Sequence, residues 1–132
     1  MKILLAACNA KYIHSNLAVF NLKAYAKEYD SQVVLREYTI NQLKDDILKD
    51  IYRCHPDVVC VSCYIWNITF VRELMQDLRK ILPDVPFWAG GPEVSYDAET
   101  FLGKNPAFNG VMVGEGEETF LELVKHYVDG SV

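Results

Sequence analysis

The stretch AACNAKYIHSN near the start of the chain carries three side chains that could contact a ligand, Asn9, Lys11 and His14. Histidine is the commonest metal ligand among protein side chains, so an isolated histidine just after an apolar run suggests a metal site. A serine and an asparagine follow His14, however, and both residue types cap helices. The stretch therefore has two interpretations, a metal ligand or the start of a helix.

Two of the four cysteines, Cys60 and Cys63, form a C-x-x-C pair. This spacing occurs in zinc sites, but no second pair completes such a site here. Cys8, Cys60 and Cys63 lie in apolar segments, and the spacing of all four is not that of a disulfide framework. We therefore expect buried free thiols in a reducing compartment and no metal ligated by the protein.

The composition indicates one ordinary globular domain. The 132 residues are 51% hydrophobic and 23% charged, with a formal net charge of −5. No cluster of lysine and arginine is present, which disfavours nucleic acid and anionic membranes as partners. The apolar run that precedes Cys8 is too short for a signal peptide, and the longest apolar run is too short to span a bilayer. The sequence thus predicts a soluble, cytoplasmic protein.

Strand and helix patterns alternate along the chain. Strands are predicted at Lys2–Cys8, Gln32–Tyr38, Asp57–Cys63, Val85–Ala89 and Gly110–Val113. Helices are predicted between and after them, at Leu17–Glu28, Asn41–Ile51, Ile68–Leu82, around Tyr96–Leu102 and after Gly114–Glu118. Asn67 is expected to cap the third helix. Five such units predict a single α/β domain, residues 1–132, with a flavodoxin-like fold: an open parallel five-stranded sheet of order 2-1-3-4-5 with helices on both faces.

Ligands of such sheets bind beyond the carboxyl ends of the strands, and the loops there exclude several familiar sites. The loop after the first strand contains no glycine, so it has neither the dinucleotide-binding fingerprint nor a P-loop. It also lacks the series of serines and threonines with which flavodoxins hold their flavin phosphate. A phospho-receiver domain needs an aspartate after the third strand, where this sequence has Ser62, Cys63 and Tyr64.

Glycines follow the fourth and fifth strands. Gly90 and Gly91 either form a tight turn or let the main chain pass close to a bulky group, and the pair alone favours the turn. The later stretch GEGEE can form a nest of backbone N–H groups, although its carboxylates disfavour an anionic ligand. Trp66 and Trp88 lie at the ends of neighbouring strands, where tryptophan most often serves packing.

Four of these segments, NAKYIHSNLA, SCYIWN, GGPEVSY and GEGEETF, occur in order at the predicted strand ends. Together they resemble the N-terminal cobalamin (B12)-binding domain of B12-dependent radical SAM proteins, a group that includes anaerobic magnesium-protoporphyrin IX monomethyl ester oxidative cyclases. The resemblance implies that the chain is the N-terminal part of a longer enzyme of the methyl-transfer or oxidative-cyclisation class. That enzyme would also use a 4Fe-4S cluster and S-adenosylmethionine. No Cys-x-x-x-Cys-x-x-Cys occurs here, so this chain alone is not expected to be catalytic.

The wider B12-binding fold has three motifs: Asp-x-His-x-x-Gly, Ser-x-Leu and Gly-Gly. Gly90 and Gly91 match the last motif, and Ser62 matches the second. The first motif is not matched, because in register Asn9, Lys11 and His14 occupy the aspartate, histidine and glycine positions. We therefore predict that no histidine of the protein is the lower cobalt ligand.

The resemblance also implies roles for residues at the strand ends, which depend on motif matches or on loop position. The corrin face would be lined by Asn9, Lys11, Tyr12 and His14. The nucleotide tail of the cofactor would be accepted by Ser62, Gly90 and Gly91. The rim would be formed by Tyr64, Trp66, Glu93 and the loop of Gly114, Glu115, Gly116 and Glu117.

The expected partners are cobalamin and a downstream radical SAM domain of the same parent chain. The alternative is a degenerate doubly wound domain without a cofactor, acting as an interaction or scaffolding module. The unmatched first motif favours that alternative.

Overall fold

The computed structural model of the chain describes residues 1–9, 17–64, 67–95, 97–113 and 116–130. In that part of the chain, five parallel strands form one sheet of order β2-β1-β3-β4-β5. The strands are β1 (Ile3–Asn9), β2 (Val33–Thr39), β3 (Val58–Ser62), β4 (Phe87–Gly90) and β5 (Gly110–Val111). The predicted flavodoxin-like order is confirmed.

Helices connect successive strands. They are α1 (Leu17–Tyr25), α2 (Lys44–Cys54), α3 (Ile68–Ile81), α4 (Pro92–Ser95), α5 (Ala98–Lys104) and α6 (Gly116–Asp129), and a 3₁₀ segment (Lys27–Gln32) follows α1. Among the described residues, no helix is long and apolar enough to cross a membrane.

Several predicted boundaries were wrong for local reasons. The second helix begins at Lys44 and not at Asn41, because a turn follows β2, in which Gln42 N donates to Thr39 O. The first helix ends at Tyr25, before the 3₁₀ segment. The last strand stops at Val111, since an edge strand pairs on one side only and the chain then leaves the sheet.

The fourth unit also differs from the prediction. Its strand begins after Pro86, which has no N–H to donate to a neighbouring strand. The short helix predicted around Tyr96–Leu102 corresponds to α5, and a further short helix, α4, precedes it. Asp97 caps α5, accepting a hydrogen bond from Thr100 N at 3.3 Å.

The two faces of the sheet bury separate hydrophobic clusters. Alternate residues of β1 enter each cluster: Leu4 and Ala6 lie on the side of α2 and α3, whereas Ile3 and Leu5 pack with Phe120 on the side of α6. Every residue of β1 and β3 is buried. This double burial explains why these strands are apolar up to their last residues, Asn9 and Ser62, and do not alternate with polar residues.

The C-x-x-C pair is structural. Cys60 and Cys63 enter opposite clusters, so their thiols face opposite sides of the sheet. All four cysteines are free and buried, as predicted. In the described part of the chain, no group of three or more His, Cys, Asp or Glu side chains is arranged to hold a metal ion.

One buried side chain, Asn67, joins the carboxyl ends of the two central strands. Its Nδ2 donates to the carbonyl oxygens of Cys8 at 3.1 Å and Ser62 at 3.2 Å, and its Oδ1 accepts from Tyr64 N at 2.7 Å. Asn67 occupies the position before α3, but its side chain makes no capping hydrogen bond. The predicted cap was wrong because the side chain turns back toward the strands, whose last carbonyl groups need donors.

We predict that Asn67→Ala lowers the free energy of unfolding by about 3 kcal/mol, since it leaves buried backbone groups of β1 and β3 without partners. Chemical denaturation followed by circular dichroism measures the change. Gln76→Ala, at an exposed position of α3, is the matched control and should change the value by less than about 0.5 kcal/mol. Equal stabilities of the two variants would contradict this role of Asn67.

The buried thiols predict a loss of stability at high pH. Burial raises the pKa values of Cys8, Cys60 and Cys63 from 9.0 to about 12. Above the ordinary thiol pKa, the unfolded chain releases protons that the folded chain retains. The free energy of unfolding should therefore be insensitive to these groups below pH 9.0 and fall as the pH rises toward 12.

Denaturation at several pH values tests this dependence, with Cys60→Ala as the comparison. The variant should lose less stability over the same pH interval, because it lacks one of the three shifted groups. An identical pH dependence in both proteins would contradict the assignment of the shift to Cys60.

Candidate functional site

A cavity of about 440 Å³ opens at the carboxyl edge of the sheet. Strand ends contribute Ser62 and Gly90, and helices α1 and α6 contribute Leu22 and Gly116. Its complete described lining is Asn21, Leu22, Ser62, Tyr64, Gly90, Gly91, Ser95, Met112, Gly116 and Glu117. The volume falls within the range of small-molecule sites, and the position agrees with the rule for ligands of open parallel sheets.

The two adjacent glycines have different roles. Gly91 has φ +102°, and a Cβ there would lie 2.5 Å from Cys63 O and 3.0 Å from Cys63 N. This close approach of two backbones supports the turn interpretation for Gly91. At Gly90 a Cβ would meet, among the described residues, only Met112, with its Cε at 3.0 Å and its Cβ at 3.7 Å. Gly90 therefore keeps space open beside a flexible side chain, whereas Gly91 lets the turn form.

Hydrogen bonds fix the main chain at the floor of the cavity, where β3 and β4 end. Cys63 N donates to Gly90 O at 2.7 Å, which holds the loop after β3 against the end of β4. Ser95 Oγ donates to Gly91 O at 2.8 Å and so ties α4 to the same turn. Tyr64 N is held by Asn67, as described above. The cavity floor is thus a network of backbone groups with fixed partners.

The chemical character of the described lining is that of a binding site. It combines hydroxyl and amide groups and the carboxylate of Glu117 with the apolar side chains of Leu22 and Met112. None of these lining residues is a histidine, so the described lining holds no Ser–His pair. The nearby Cys63 thiol is kept protonated, because burial raises its pKa to about 12. A protonated thiol is neither a good nucleophile nor a metal ligand.

The structure brings together six residues predicted from the sequence, Ser62, Tyr64, Gly90, Gly91, Gly116 and Glu117. Glu93 lies in α4, is exposed, and is not part of the described lining. Six other predicted residues lie outside the described part of the chain: Lys11, Tyr12, His14, Trp66, Gly114 and Glu115.

The remaining predicted residue, Asn9, lies at the carboxyl end of β1, outside the lining of this cavity. Its Nδ2 donates to Glu37 Oε1 at 3.1 Å. Asn9 pairs in register with Thr39 of β2, whose buried hydroxyl has no hydrogen-bond partner among the described residues. Asn9 therefore belongs to a second polar area of the same edge, formed by the ends of β1 and β2.

Sequence reasoning missed Asn21, Leu22, Ser95 and Met112. Ser95 lies within the quoted GGPEVSY segment, so its neighbourhood carried a signal. Leu22 and Met112 are ordinary apolar residues of a helix and a strand end, and nothing in their local pattern distinguishes them from core residues.

Trp88 serves packing, as predicted: its Nε1 donates to Tyr127 OH at 2.9 Å, and its ring covers Gly110.

The chain is similar to two curated proteins. It is 31% identical over 111 residues to the cobalamin-dependent radical SAM methyltransferase TokK of Streptomyces tokunonensis, an alignment that covers 78% of this chain and 15% of that protein. It is 33% identical over 69 residues to a 2-(S-pantetheinyl)-carbapenam-3-carboxylate methyltransferase of Streptantibioticus cattleyicolor, covering 52% of this chain and 10% of the relative. The chain thus spans less than a fifth of either relative.

Solved structures share the fold. The cobalamin-dependent S-adenosylmethionine radical enzyme OxsB, with aqua-cobalamin and S-adenosylmethionine bound, matches with a TM-score of 0.78 at 16% identity. The match covers 100% of this chain and 19% of that enzyme. A cobalamin-binding protein from Desulfitobacterium hafniense matches with a TM-score of 0.62 at 14% identity, covering 96% of this chain and 59% of the other.

A family model, the B12 binding domain, matches residues 3–124. This match and the similarity to TokK confirm the resemblance to the cobalamin-binding domain of B12-dependent radical SAM proteins that the four segments predicted. With almost its whole length matched, the chain belongs to the B12-binding domain family.

Proposed function

We propose that this chain is the cobalamin-binding module of a longer radical SAM enzyme of the methyl-transfer or oxidative-cyclisation class. The observation that carries the proposal is the cavity at the carboxyl edge, which is lined by the residues matching two motifs of the B12-binding fold, Ser62, Gly90 and Gly91. Membership of the family supports the choice of ligand. The methyltransferase names of the two curated relatives favour methyl transfer within the proposed classes.

Two features of the carboxyl edge of the sheet fit cobalamin. The absence of a side chain at Gly90 leaves a space, the cradle, that a larger residue would fill. Gly90, Ser62 and Gly91 would together accept the nucleotide tail in this space. The corrin would lie toward the ends of β1 and β2. There the Thr39 hydroxyl, which has no hydrogen-bond partner in the described part of the chain, could bond an amide group of the corrin periphery. Lys11, Tyr12 and His14 would cover the corrin with Asn9.

Further residues complete the proposed site. Its rim would be formed by Tyr64, Trp66, Glu93 and the loop of Gly114, Glu115, Gly116 and Glu117. Bound cobalamin would supply methyl-group or radical chemistry, and the protein would supply position and environment. The 4Fe-4S cluster and S-adenosylmethionine would belong to a radical SAM domain downstream in the same parent chain, which we propose to act in the cytoplasm.

One observation favours a second function, an interaction or scaffolding module that has lost the cofactor. The first motif of the fold is not matched, because Asn9, Lys11 and His14 stand at its aspartate, histidine and glycine positions. In the leading proposal the same departure means that cobalamin is bound without a histidine of the protein below the cobalt. An asparagine cannot orient and polarise an imidazole as an aspartate does, and a protonated lysine is a poor ligand.

The lower ligand is tested by electron paramagnetic resonance of the chain loaded with cob(II)inamide, which has no base of its own. The expected spectrum has no nitrogen splitting of the cobalt lines, because no protein imidazole is coordinated. Splitting into three lines that is absent from His14→Ala would identify His14 as the ligand and contradict this part of the proposal.

The cavity is tested by Gly90→Val, measured by titration of the chain with hydroxocobalamin. Since the new side chain would project toward Met112 and occupy the cradle, we expect the affinity to fall by about tenfold or more. Gly103→Ala is the matched control, because a Cβ there meets nothing within 4 Å, and it should bind as the original chain does. Circular dichroism confirms that each variant is folded.

Full affinity in a folded Gly90→Val would exclude the cavity as the tail site. Gly91 is unsuitable for this test, because any side chain there would strike the backbone of Cys63 and disturb the turn itself.

A further inference from the structure

A second cavity, of about 330 Å³, lies next to the first on the side of α6. Trp88, Leu123 and Tyr127 are among its lining residues, and Met112 lines both cavities. The side chain of Met112 is therefore part of the wall between the two spaces. No motif of the B12-binding fold includes this residue, and the proposed function does not use the second cavity.

The backbone of Met112 is held in place, whereas the end of its side chain can move. Its backbone N donates to Ala89 O at 2.8 Å, which fixes it beside β4. The residue is buried and packs in the cluster that contains Phe120 and Leu123. Its Cε lies 3.0 Å from the place that a Cβ on Gly90 would occupy, at the floor of the first cavity. Methionine is unbranched and flexible, so its terminal methyl group can shift where space adjoins it.

We propose that Met112 is a specificity-determining residue that closes the inner end of the tail cavity and selects the lower base of the bound cobamide. The inference rests on the proposed function, since it assumes that the nucleotide tail enters this cavity. Because a second cavity lies behind Met112, the length of this side chain matters. A shorter side chain at position 112 would join the two cavities and lengthen the tail cavity.

The character of the wall predicts which bases are preferred. Met112 offers a thioether and methyl surface, and Leu22 is the other apolar side chain of the described lining. A base of the benzimidazole class presents a hydrocarbon edge to such a wall. An adenine base presents an exocyclic amine, and the thioether and methyl groups of Met112 offer its N–H groups no strong acceptor.

The experiment measures the affinities of the full chain for cobalamin, for an adenine-containing cobamide and for cobinamide, which lacks the nucleotide tail. The original chain should bind cobalamin about tenfold or more tightly than either of the others. In Met112→Ala the preference for cobalamin over the adenine cobamide should shrink by about tenfold, whereas cobinamide should bind as it does to the original chain.

Met75→Ala is the matched control, because Met75 is also buried but packs on the opposite face of the sheet. It should leave the ratio of the affinities unchanged. Should Met112→Ala not fold, Met112→Leu serves the same purpose, since it removes the methyl group facing Gly90 and nearly conserves volume. Its expected effect on the ratio is about threefold in the same direction.

The outcomes separate this inference from the proposed function. Equal binding of cobinamide and cobalamin would overturn the inference while leaving cobalamin binding intact, as would an unchanged ratio in both Met112 variants. Failure of all three corrinoids to bind the original chain would overturn the proposed function and the inference together.

Discussion

The candidate site depends on how closely the carboxyl ends of β1, β3 and β4 are held together. Asn67 satisfies three backbone groups with one buried side chain and so joins the ends of β1 and β3. On the other side of β3, the turn at Gly91 approaches the backbone of Cys63 too closely for any side chain. At this edge the strands end and the chain enters loops. These contacts keep the strand ends together up to that point. The floor of the cavity is rigid because its backbone groups have partners inside the protein.

This construction suits a module that positions a cofactor. The described part of the cavity offers hydroxyl, amide and apolar groups and the carboxylate of Glu117, and the buried thiols beneath it are kept neutral. Reactive side chains are not needed where the cofactor supplies the chemistry, whereas a fixed shape is needed to hold it. The C-x-x-C pair fits the same view. The C-x-x-C spacing also occurs in zinc sites. Here the two thiols lie in opposite hydrophobic clusters, and they contribute to packing.

Local patterns in the sequence were sufficient for the fold and for part of the site. Continuous apolar runs predicted strands buried on both faces, and the alternation of units predicted the order that the sheet adopts. The strand-end rule then brought Ser62, Gly90 and Gly91 to one edge, where they line one cavity. Features that depend on contacts distant in sequence were not predictable. Asn67 has the residue type and position of a helix cap, and only the carbonyl groups of β1 and β3 explain why it does not cap. Met112 resembles any core residue until the space on both sides of it is seen.

The central claim is that this chain binds cobalamin through the carboxyl edge of its sheet. The most direct measurement is gel filtration of the 132-residue chain after incubation with hydroxocobalamin, with the visible absorbance of the corrin followed across the column. We expect the corrin absorbance to elute with the protein at one cofactor per folded chain. Elution of all the corrin at the volume of the free cofactor, from protein shown to be folded, would contradict it and favour the scaffolding module.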